Sequence, residues 1–543
     1  MSAAALTLVA SPPRRKSNKW IVALSVTFGT LMGAIDSSIV NVGLSQIRSS
    51  VGATVQEITW ISTGFAVAMV MVMPLTAFFG RLFGQKKVYM ACLALFIIGS
   101  ALCGVAWNLP SLIVFRMLQG FGAGALQPTE QAILRQTFPL KEQGTAMALF
   151  AMAVMVGPAL GPTLGGAIID NFHWSWIFFI NIPVGILGFV MVWRFVEEPE
   201  DIRLAMRAEA VKQRKNMDWL GIAFLWTALI ALQYVLEEGQ SQDWFQSEKI
   251  ILLTMLVAFA AVAFVIRELS APAPAVNLRL FLDPVFSSGT VVSASVMAVM
   301  MSGMFLLPLF MQELLGFTAM QSGLAMMPRT LVMFVTMLVI GRIYNRFHPA
   351  LLGMLGLALT ALGQFWLSTM NLDSNASHVV AGICLQGVGM AMMLVPLQTV
   401  VLSNIPRHRL SDATGLSSLL RQIGGSMGLA VFATRLSSGG VLAREAMKAH
   451  LVEQRPEVFN RLLAVQAGAI ARGVDPAVAK QLSIASMYGL VARQGMVIAF
   501  DQMFVLGALL FAVVAPLFLF VRRPASSTAD LRNAPPQHVD VEV

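Results

Sequence analysis

The sequence predicts an all-α membrane protein of two six-helix bundles with two further helices inserted between them, about fourteen transmembrane helices in all. Three observations lead to this fold class. Of the 543 residues 57% are hydrophobic and only 12% are charged, which is outside the range of soluble proteins. Apolar runs of about 18 to 25 residues recur along the chain. Two short motifs of the first half also recur in the second half.

The apolar runs set the positions of the predicted helices, because about 20 apolar residues are needed to cross the hydrocarbon core as a helix. The thirteenth run is the least typical, since it is rich in glycine, serine and other polar residues. The predicted spans are 20–43, 58–79, 88–107, 110–134, 145–169, 175–196, 218–236, 250–267, 286–310, 320–341, 350–370, 378–402, 413–434 and 498–521.

Internal repetition divides the chain into halves. The sequence Leu-Gln-Gly-Phe-Gly at 118–122 recurs as Leu-Gln-Gly-Val-Gly at 385–389. Gly-Arg-Leu-Phe at 80–83 recurs as Gly-Arg-Ile-Tyr at 341–344, at nearly the same offset along the chain. The two spans in between belong to neither repeat and are therefore an insertion. The predicted units are a tail 1–19, a bundle 20–196, a loop with two inserted helices 197–285, a bundle 286–521 that includes an outer loop 435–497, and a tail 522–543.

The arginines and lysines favour one face of the membrane. They cluster before the first span and after the second and fourth, so the positive-inside rule places both termini in the cytoplasm. The net charge of +9 is mostly this topology signal and gives no reason to expect nucleic-acid binding. The basic outer loop 435–497 is about sixty residues long, and its pattern predicts one or two amphipathic helices outside the bilayer. It is either a solvated cap or a docking surface for a partner protein.

Several function classes are excluded by missing motifs. Cys92, Cys103 and Cys384 all fall within spans, so neither a disulfide framework nor a metal site is expected. The sequence has no phosphate-binding P-loop, no His-Glu-x-x-His and no Gly-x-Ser-x-Gly. We therefore expect no cofactor, no hydrolytic activity and no ATP-driven pumping by this chain alone.

The fifth span contains an unusual glycine- and proline-rich segment at 157–166. Small residues let a neighbouring backbone approach closely, and prolines leave carbonyl groups that adjacent protein must satisfy. The segment is interpreted as a moving seam between the two bundles, and the alternative is a tightly packed membrane helix. Its conformational residues are Gly157, Pro158, Gly161, Pro162, Gly165 and Gly166.

Four motifs together resemble the major facilitator superfamily, and within it the fourteen-span drug:proton antiporter branch of the EmrB/QacA type. They lie at 36–42 in the first span, 116–124 in the fourth, 157–166 in the fifth, and 173–183 at the start of the sixth. The resemblance implies a multidrug efflux transporter of the bacterial inner membrane, driven by the proton gradient and linked to antibiotic resistance. In double-membraned bacteria, such pumps work with a periplasmic adaptor protein and an outer-membrane channel.

Asp36 and Arg116 are the predicted proton-coupling residues. Counting about 1.5 Å per residue from the span ends puts both at a similar depth in the outer half of the core, so a contact between them is permitted. Burial favours the protonated form of a carboxyl group, and a nearby arginine favours the ionised form. A change in their separation can therefore load and release a proton. The alternative is a static pair that holds two spans together.

A latch is expected at the cytoplasmic face. The superfamily usually carries an Asp-Arg pair in the loop after the second span, whereas this chain has Arg81 and Leu82 there, followed by Gly84 and Lys86. Glu130, near the cytoplasmic end of the fourth span, is predicted to replace the missing aspartate by pairing with Arg81 or Lys86. Alternatively it is a solvated acid, or a second proton carrier.

The substrate cavity is expected to be apolar and soft, because the 34 methionines include clusters within single spans and flexible thioethers suit varied ligands. Arg329 and Arg421, within apolar runs, are either counter-ions or gate residues, or bond to backbone carbonyls. Two other functions remain open: a dedicated exporter of an endogenous metabolite, and a membrane sensor that transports nothing. Polar residues that can orient a substrate are Asn41, Gln119, Asn181, Gln312, Gln398 and Gln422.

Overall fold

The structure is a computed structural model that describes residues 18–198, 203, 210, 218–344, 346–448 and 456–520. These parts of the chain are almost entirely helical and contain no β-strand. The predicted tails 1–19 and 522–543 lie almost wholly outside the described residues. The helices are α1 Lys19–Val51, α2 Val55–Val72, α3 Thr76–Phe83, α4 Gln85–Gly104, α5 Leu109–Thr137, α6 Gln143–Asn171, α7 Trp176–Phe179, α8 Asn181–Phe195, α9 Trp219–Glu238, α10 Glu248–Ser270, α11 Pro284–Glu313, α12 Ala319–Ile343, α13 Pro349–Leu367, α14 Ala376–Val400, α15 Leu410–Lys448, α16 Pro456–Ile470 and α17 Pro476–Val514.

Polar caps set where several long helices begin. Thr54 accepts from the backbone N–H of Glu57, whose side chain accepts in return from Thr54, so α2 opens with a capping box. Thr318 and Gln321 form the same arrangement at α12. Asp283 caps α11 by accepting two backbone N–H groups. These short polar stretches explain why the apolar runs of the sequence begin as helices where they do.

Twelve of the described helical segments are long and apolar enough to cross a membrane. α2 and α3 count as one of them, since a short 3₁₀ turn at Met73–Leu75 joins them. α6 and α15 occupy the fifth and thirteenth predicted spans; α15 is too polar to meet the same criterion because glycine, serine and arginine interrupt its apolar residues. The predicted all-α membrane fold is confirmed, and the count of fourteen spans is consistent with it.

The repeat seen in the sequence is also a repeat of packing. A side chain at Gly122 would overlap the backbone of Phe96, and one at Gly389 would overlap the backbone of Thr360. Phe96 and Thr360 are related by nearly the same offset along the chain as the two glycines. Each glycine lets α5 or α14 approach α4 or α13 at backbone contact, which explains why Gly-x-Gly occurs in both halves.

The inserted helices α9 and α10 pack against each other, and α9 also contacts α2 of the first half and α15 of the second. Gln233 of α9 donates a hydrogen bond to Ser426 Oγ of α15 (3.0 Å), and Trp226 donates to the Met71 carbonyl of α2 (3.1 Å). The insertion therefore lies along one side of the junction between the halves.

The segment 435–497, predicted as an outer loop with one or two amphipathic helices, is largely helical in its described residues. α15 continues to Lys448 and α17 begins at Pro476, so both long helices extend well past their predicted spans. They remain packed together there, with Gly440 of α15 beside Met496 of α17. The expected additional helix is present as α16, which packs on α17. The helices run past the predicted spans because alanine and leucine continue the helical pattern beyond the apolar runs.

Candidate functional site

The centre of the first half contains a buried cluster around the Asp36 carboxylate. Arg116 Nη1 donates to Asp36 Oδ2 (2.6 Å), and both side chains are almost completely excluded from solvent. Gln119 Nε2 and Asn181 Nδ2 each donate to Asp36 Oδ1 at 2.9 Å. Ser100 Oγ accepts from the same two amides at 3.0 Å. Asp36 is thus held by donors from α5 and α8, which is the arrangement an ionised carboxylate requires.

Arg116 is held on several sides. Its Nη1 also donates to Gln119 Oε1 (2.7 Å), and its guanidinium carbon lies 4.2 Å from the centre of the Phe65 ring. Its Nε makes no hydrogen bond among the described residues. Cation–π contact and hydrogen bonds offset part of the cost of burying the charge. The contact that depth counting permitted between Asp36 and Arg116 is therefore present.

The glycine-rich segment of α6 packs against the helix that carries Asp36. A side chain at Gly157 would overlap Ala34, one at Gly161 would overlap Ser38, and one at Gly165 would approach Ile39. All three partners belong to α1, in the same half, which agrees with the alternative of a tightly packed membrane helix. α6 also packs on α12 and α14 of the second half, so the helix itself lies at the junction of the two bundles. Gly166 has no such neighbour. Pro158 and Pro162 lie within α6, and their side chains lie outside the described part of the structure.

Glu130 does not form the predicted latch. It is fully buried on α5, and its Oε1 accepts from Thr27 Oγ1 of α1 at 3.1 Å. Arg81 instead donates to Asp412 Oδ1 at 2.6 Å. Lys86 donates from its backbone to Glu198 Oε1 (2.7 Å) and from its Nζ to the Trp193 carbonyl (2.8 Å). Glu130 and the basic loop are not neighbours, because the basic loop meets the second half whereas Glu130 faces α1.

Gly84 is needed for this loop. Its φ of +90° is a left-handed conformation that favours glycine, and a side chain there would lie 2.9 Å from the Glu198 carboxylate. The loop that follows α3 is therefore fixed both by backbone conformation and by Glu198.

The two halves are joined at the end of the bundle that bears Arg81, which we call the basic end. Gln85 Nε2 donates to Ser411 Oγ (2.6 Å), close to the Arg81–Asp412 ion pair. Four further contacts join α5 or α6 to the second half; they are Gln131 to Gln398 (2.6 Å), Arg135 to the Thr399 carbonyl (2.7 Å), Arg407 to the Gln136 carbonyl (2.9 Å) and Thr145 to the Gly341 carbonyl (3.2 Å). We call these six contacts the basic-end clasp.

The polar residues predicted to orient a substrate fall into different places. Gln119 and Asn181 belong to the Asp36 cluster rather than to a cavity wall. Asn41 is exposed and accepts from Ser62 Oγ (3.2 Å), Gln312 is exposed near the end of α11, and Gln422 is half-buried. Gln398 is the one that lines a described cavity, between the halves, beside Arg421.

Asp412, Ser100 and Ser411 were not singled out from the sequence. Asp412 looks like an ordinary acidic residue in the first turn of a helix, and only the repeat offers a signal. Asp412 follows Thr145 by the same offset that separates the two glutamine motifs, and Gly341 is the repeat of Gly80. The Arg81–Asp412 and Thr145–Gly341 contacts are therefore related by the internal repeat.

Comparisons with known proteins agree with this architecture. Residues 26–429 match the Major Facilitator Superfamily. The chain is 32% identical over 516 residues to the fatty acid resistance protein FarB of Neisseria gonorrhoeae, covering 95% of this chain and 98% of that protein. It is 30% identical over 508 residues to the multidrug export protein EmrB of Escherichia coli (strain K12), covering 93% and 95%. The human organic anion transporter MFSD10 (TETRAN) shares the fold, with a TM-score of 0.57, 15% identity, and coverage of 92% and 100%. The chain thus belongs to the Major Facilitator Superfamily, in its EmrB-type branch.

Proposed function

We propose that this protein is a proton-coupled multidrug exporter that moves lipophilic and amphipathic compounds out across a bacterial inner membrane. Membership of a transporter family supports transport rather than enzymatic catalysis. The names of the relatives, a multidrug export protein and a fatty acid resistance protein, support export of small apolar compounds. The observation that carries the proposal is the Asp36 carboxylate, buried in a membrane-spanning helix and surrounded by donors.

Proton coupling follows from the chemistry of this cluster. In the described conformation, Arg116 and Asp36 neutralise each other. A proton on Asp36 would leave Arg116 as an unpaired buried cation, so protonation and separation of the pair favour each other. One proton moving inward down a membrane potential yields about 2.3 kcal/mol per 100 mV, which is available to drive a substrate outward. Glu130, fully buried between α1 and α5, is the candidate for a second proton-carrying acid.

The clasp supports a proposal for which state of the transport cycle this conformation represents. We take the basic end as cytoplasmic, with both termini on that side, because of the arginines and lysines gathered there. The clasp then closes the protein to the cytoplasm, and its opening would expose the central cavity to that side. Rocking of the halves around a central site gives alternating access.

The helical extension beyond the opposite end supports a role in docking. α15 and α17 project together past their predicted spans, and α16 packs against them. We propose that this part, and not the transport core, meets a periplasmic adaptor protein that leads to an outer-membrane channel. Deletion of 456–470 should then leave transport in liposomes intact and abolish resistance in cells.

The test of proton coupling uses purified protein in liposomes with a pH-sensitive dye inside. A panel of lipophilic cations and weak acids is added, and proton movement is compared between the wild type and Asp36→Asn. Asp218→Asn is the matched control, because Asp218 is also buried and ion-paired but caps the inserted helix α9. We expect substrate-evoked proton movement that Asp36→Asn abolishes and Asp218→Asn retains.

The alternatives give different results in the same assay. If Asp36→Asn retains substrate-evoked proton movement, another acid couples transport to protons, and Glu130 is the first candidate. A response to a single endogenous compound would identify a dedicated exporter. No response to any compound, with intact binding, would favour a sensor over a transporter.

A further inference from the structure

The cavity between the halves is mostly apolar and has one charged side chain in its lining. It is a small space of about 30 Å³, enough for a water molecule, lined by α5, α6, α11, α14 and α15. Met155, Met297 and Met300 are among its apolar residues. Its polar residues are Gln127, Ser293, Gln398 and the cationic Arg421. An apolar chamber with one cationic edge is suited to a ligand that has an apolar body and a charged head.

Arg421 is a buried cation without an anionic partner among the described residues. It is 6% exposed, and its guanidinium donates to Gln398 Oε1 and Ser418 Oγ, each at 2.8 Å. Both acceptors are neutral. A charge buried in a membrane protein is costly, and such a residue marks a functional site by default. Neutral acceptors leave the net positive charge of the cavity edge uncompensated.

A second buried cation lies nearby and has no acidic partner in the described structure either. Arg329 of α12 is 6% exposed, and its Nη2 contacts Met390 Sδ at 3.3 Å. Met390 and Gln398 are eight residues apart on α14, or about 12 Å. Two buried acids of the first half are engaged elsewhere: Asp36 pairs with Arg116, and Glu130 faces α1. The second half therefore presents positive charge to the centre of the protein.

We propose that this cavity is a substrate site for amphipathic anions, with a carboxylate or similar head group on Arg421 and the apolar body among the methionines. The inference rests on the proposed export function and specifies its substrate class. A guanidinium binds a carboxylate through two parallel hydrogen bonds, a geometry that neutral side chains cannot supply. Methionine side chains are flexible enough to admit ligands of varied shape when the cavity expands.

The same arginine connects the site to the clasp. Gln398 Oε1 accepts from both Arg421 Nη1 (2.8 Å) and Gln131 Nε2 of the first half (2.6 Å). An anion that binds Arg421 would replace Gln398 as the acceptor of its guanidinium. It would thereby change the surroundings of the Gln131–Gln398 hydrogen bond between the halves. Binding at this site is therefore placed to bias the conformational equilibrium.

The experiment compares probes with one tail and three head groups. Wild-type protein in nanodiscs is titrated with dodecanoate, dodecyltrimethylammonium and dodecanol, and binding to empty nanodiscs is subtracted. The variants are Arg421→Gln, Arg421→Lys and, as the matched control on the same helix, Arg435→Gln, since Arg435 is exposed. We expect dodecanoate to bind at least tenfold more tightly than dodecyltrimethylammonium. Arg421→Gln should lose at least tenfold in dodecanoate affinity, Arg421→Lys should lose less, and Arg435→Gln should match the wild type.

Each result is decisive for one of the two proposals. Equal or tighter binding of the cation to the wild type overturns the anion site, and this comparison needs no variant to fold. If only cations evoke proton movement, the anion site is wrong and the export function stands. If dodecanoate binds through Arg421 but no compound evokes proton movement, the anion site stands and the export function fails. Unchanged dodecanoate affinity in a folded Arg421→Gln variant also overturns the site.

Discussion

The Arg81–Asp412 pair should control how often the basic end opens. Its two side chains are only 9% and 6% exposed, and they belong to different halves. Removing one partner of a buried pair costs about 3–5 kcal/mol, because the other charge is left uncompensated. The cost falls only on the clasped conformation, since the pair is separated when that end opens. Arg81→Gln should therefore shift the closed-to-open ratio by about 140-fold or more.

Charge exchange tests the pairing itself. Arg81→Asp combined with Asp412→Arg restores an ion pair of reversed polarity at the same place. The charge exchange should restore the closed conformation only in part, because Asp412 lies in the first turn of α15. A cation there opposes the helix dipole, at a cost of about 0.3–1 kcal/mol. The double variant should thus close more often than either single variant and less often than the wild type.

The distance between the halves at the basic end is the direct measurement. Nitroxide labels at Lys87 and Arg409, both exposed and in different halves, are compared by pulsed electron resonance in a chain without its three native cysteines. Glu142→Gln is the control, since the Lys19–Glu142 pair lies within one half and is more than a third exposed. An unchanged distance distribution in Arg81→Gln, or no recovery on charge exchange, would show that the Arg81–Asp412 pair does not hold the basic end closed.

Two further predictions concern α6 and Glu130. Gly161→Ala should lower the free energy of unfolding by about 1–3 kcal/mol, because the added Cβ would lie 2.3 Å from Ser38 Oγ. Gly166→Ala, with nothing within 4 Å, should leave the thermal unfolding temperature in detergent unchanged or slightly higher, because alanine favours a helix interior over glycine. Destabilisation equal to that of Gly161→Ala would contradict the proposed packing. Glu130→Gln should leave the label distance at the basic end unchanged, because Glu130 is outside the clasp. If Glu130 carries a second proton, the same variant should lower the number of protons moved per substrate.

The composition of the chain predicted the fold, and the depth of charged residues in the membrane predicted the contact between Asp36 and Arg116. Neither observation predicted contacts between residues as far apart in the sequence as Arg81 and Asp412. Asp36 and Arg116 are each a rare charge in an apolar run, so counting residues from the span ends located them at one level. Arg81 gave no such signal, because its partner is 331 residues away and a basic residue at a span end has many possible neighbours.

The partners of the amide side chains could not be predicted from the sequence. Gln119 and Asn181 were predicted to face a substrate, since a polar group in a membrane helix needs a partner. The structure gives them Asp36 as that partner. Sequence alone shows that such a group must be satisfied and does not show which neighbour satisfies it. The repeat was the stronger guide, because it relates the Arg81 loop to the 341–344 segment, and both meet the start of a helix in the opposite half.

Helix α5 joins the Asp36 cluster, the proposed proton site, to the clasp. It carries Arg116 of the Asp36 cluster and, about 22 Å further along, Gln131 of the clasp. If protonation of Asp36 opens the clasp by a given factor, thermodynamic linkage requires that an open clasp strengthens proton binding by the same factor. Arg81→Gln should therefore bind a proton at higher pH than the wild type does. The measurement is proton uptake by detergent-solubilised protein during a pH titration, with the Asp36→Asn background as reference. Equal titration of wild type and Arg81→Gln would mean that the clasp and the carboxylate are uncoupled, and that α5 transmits nothing between them.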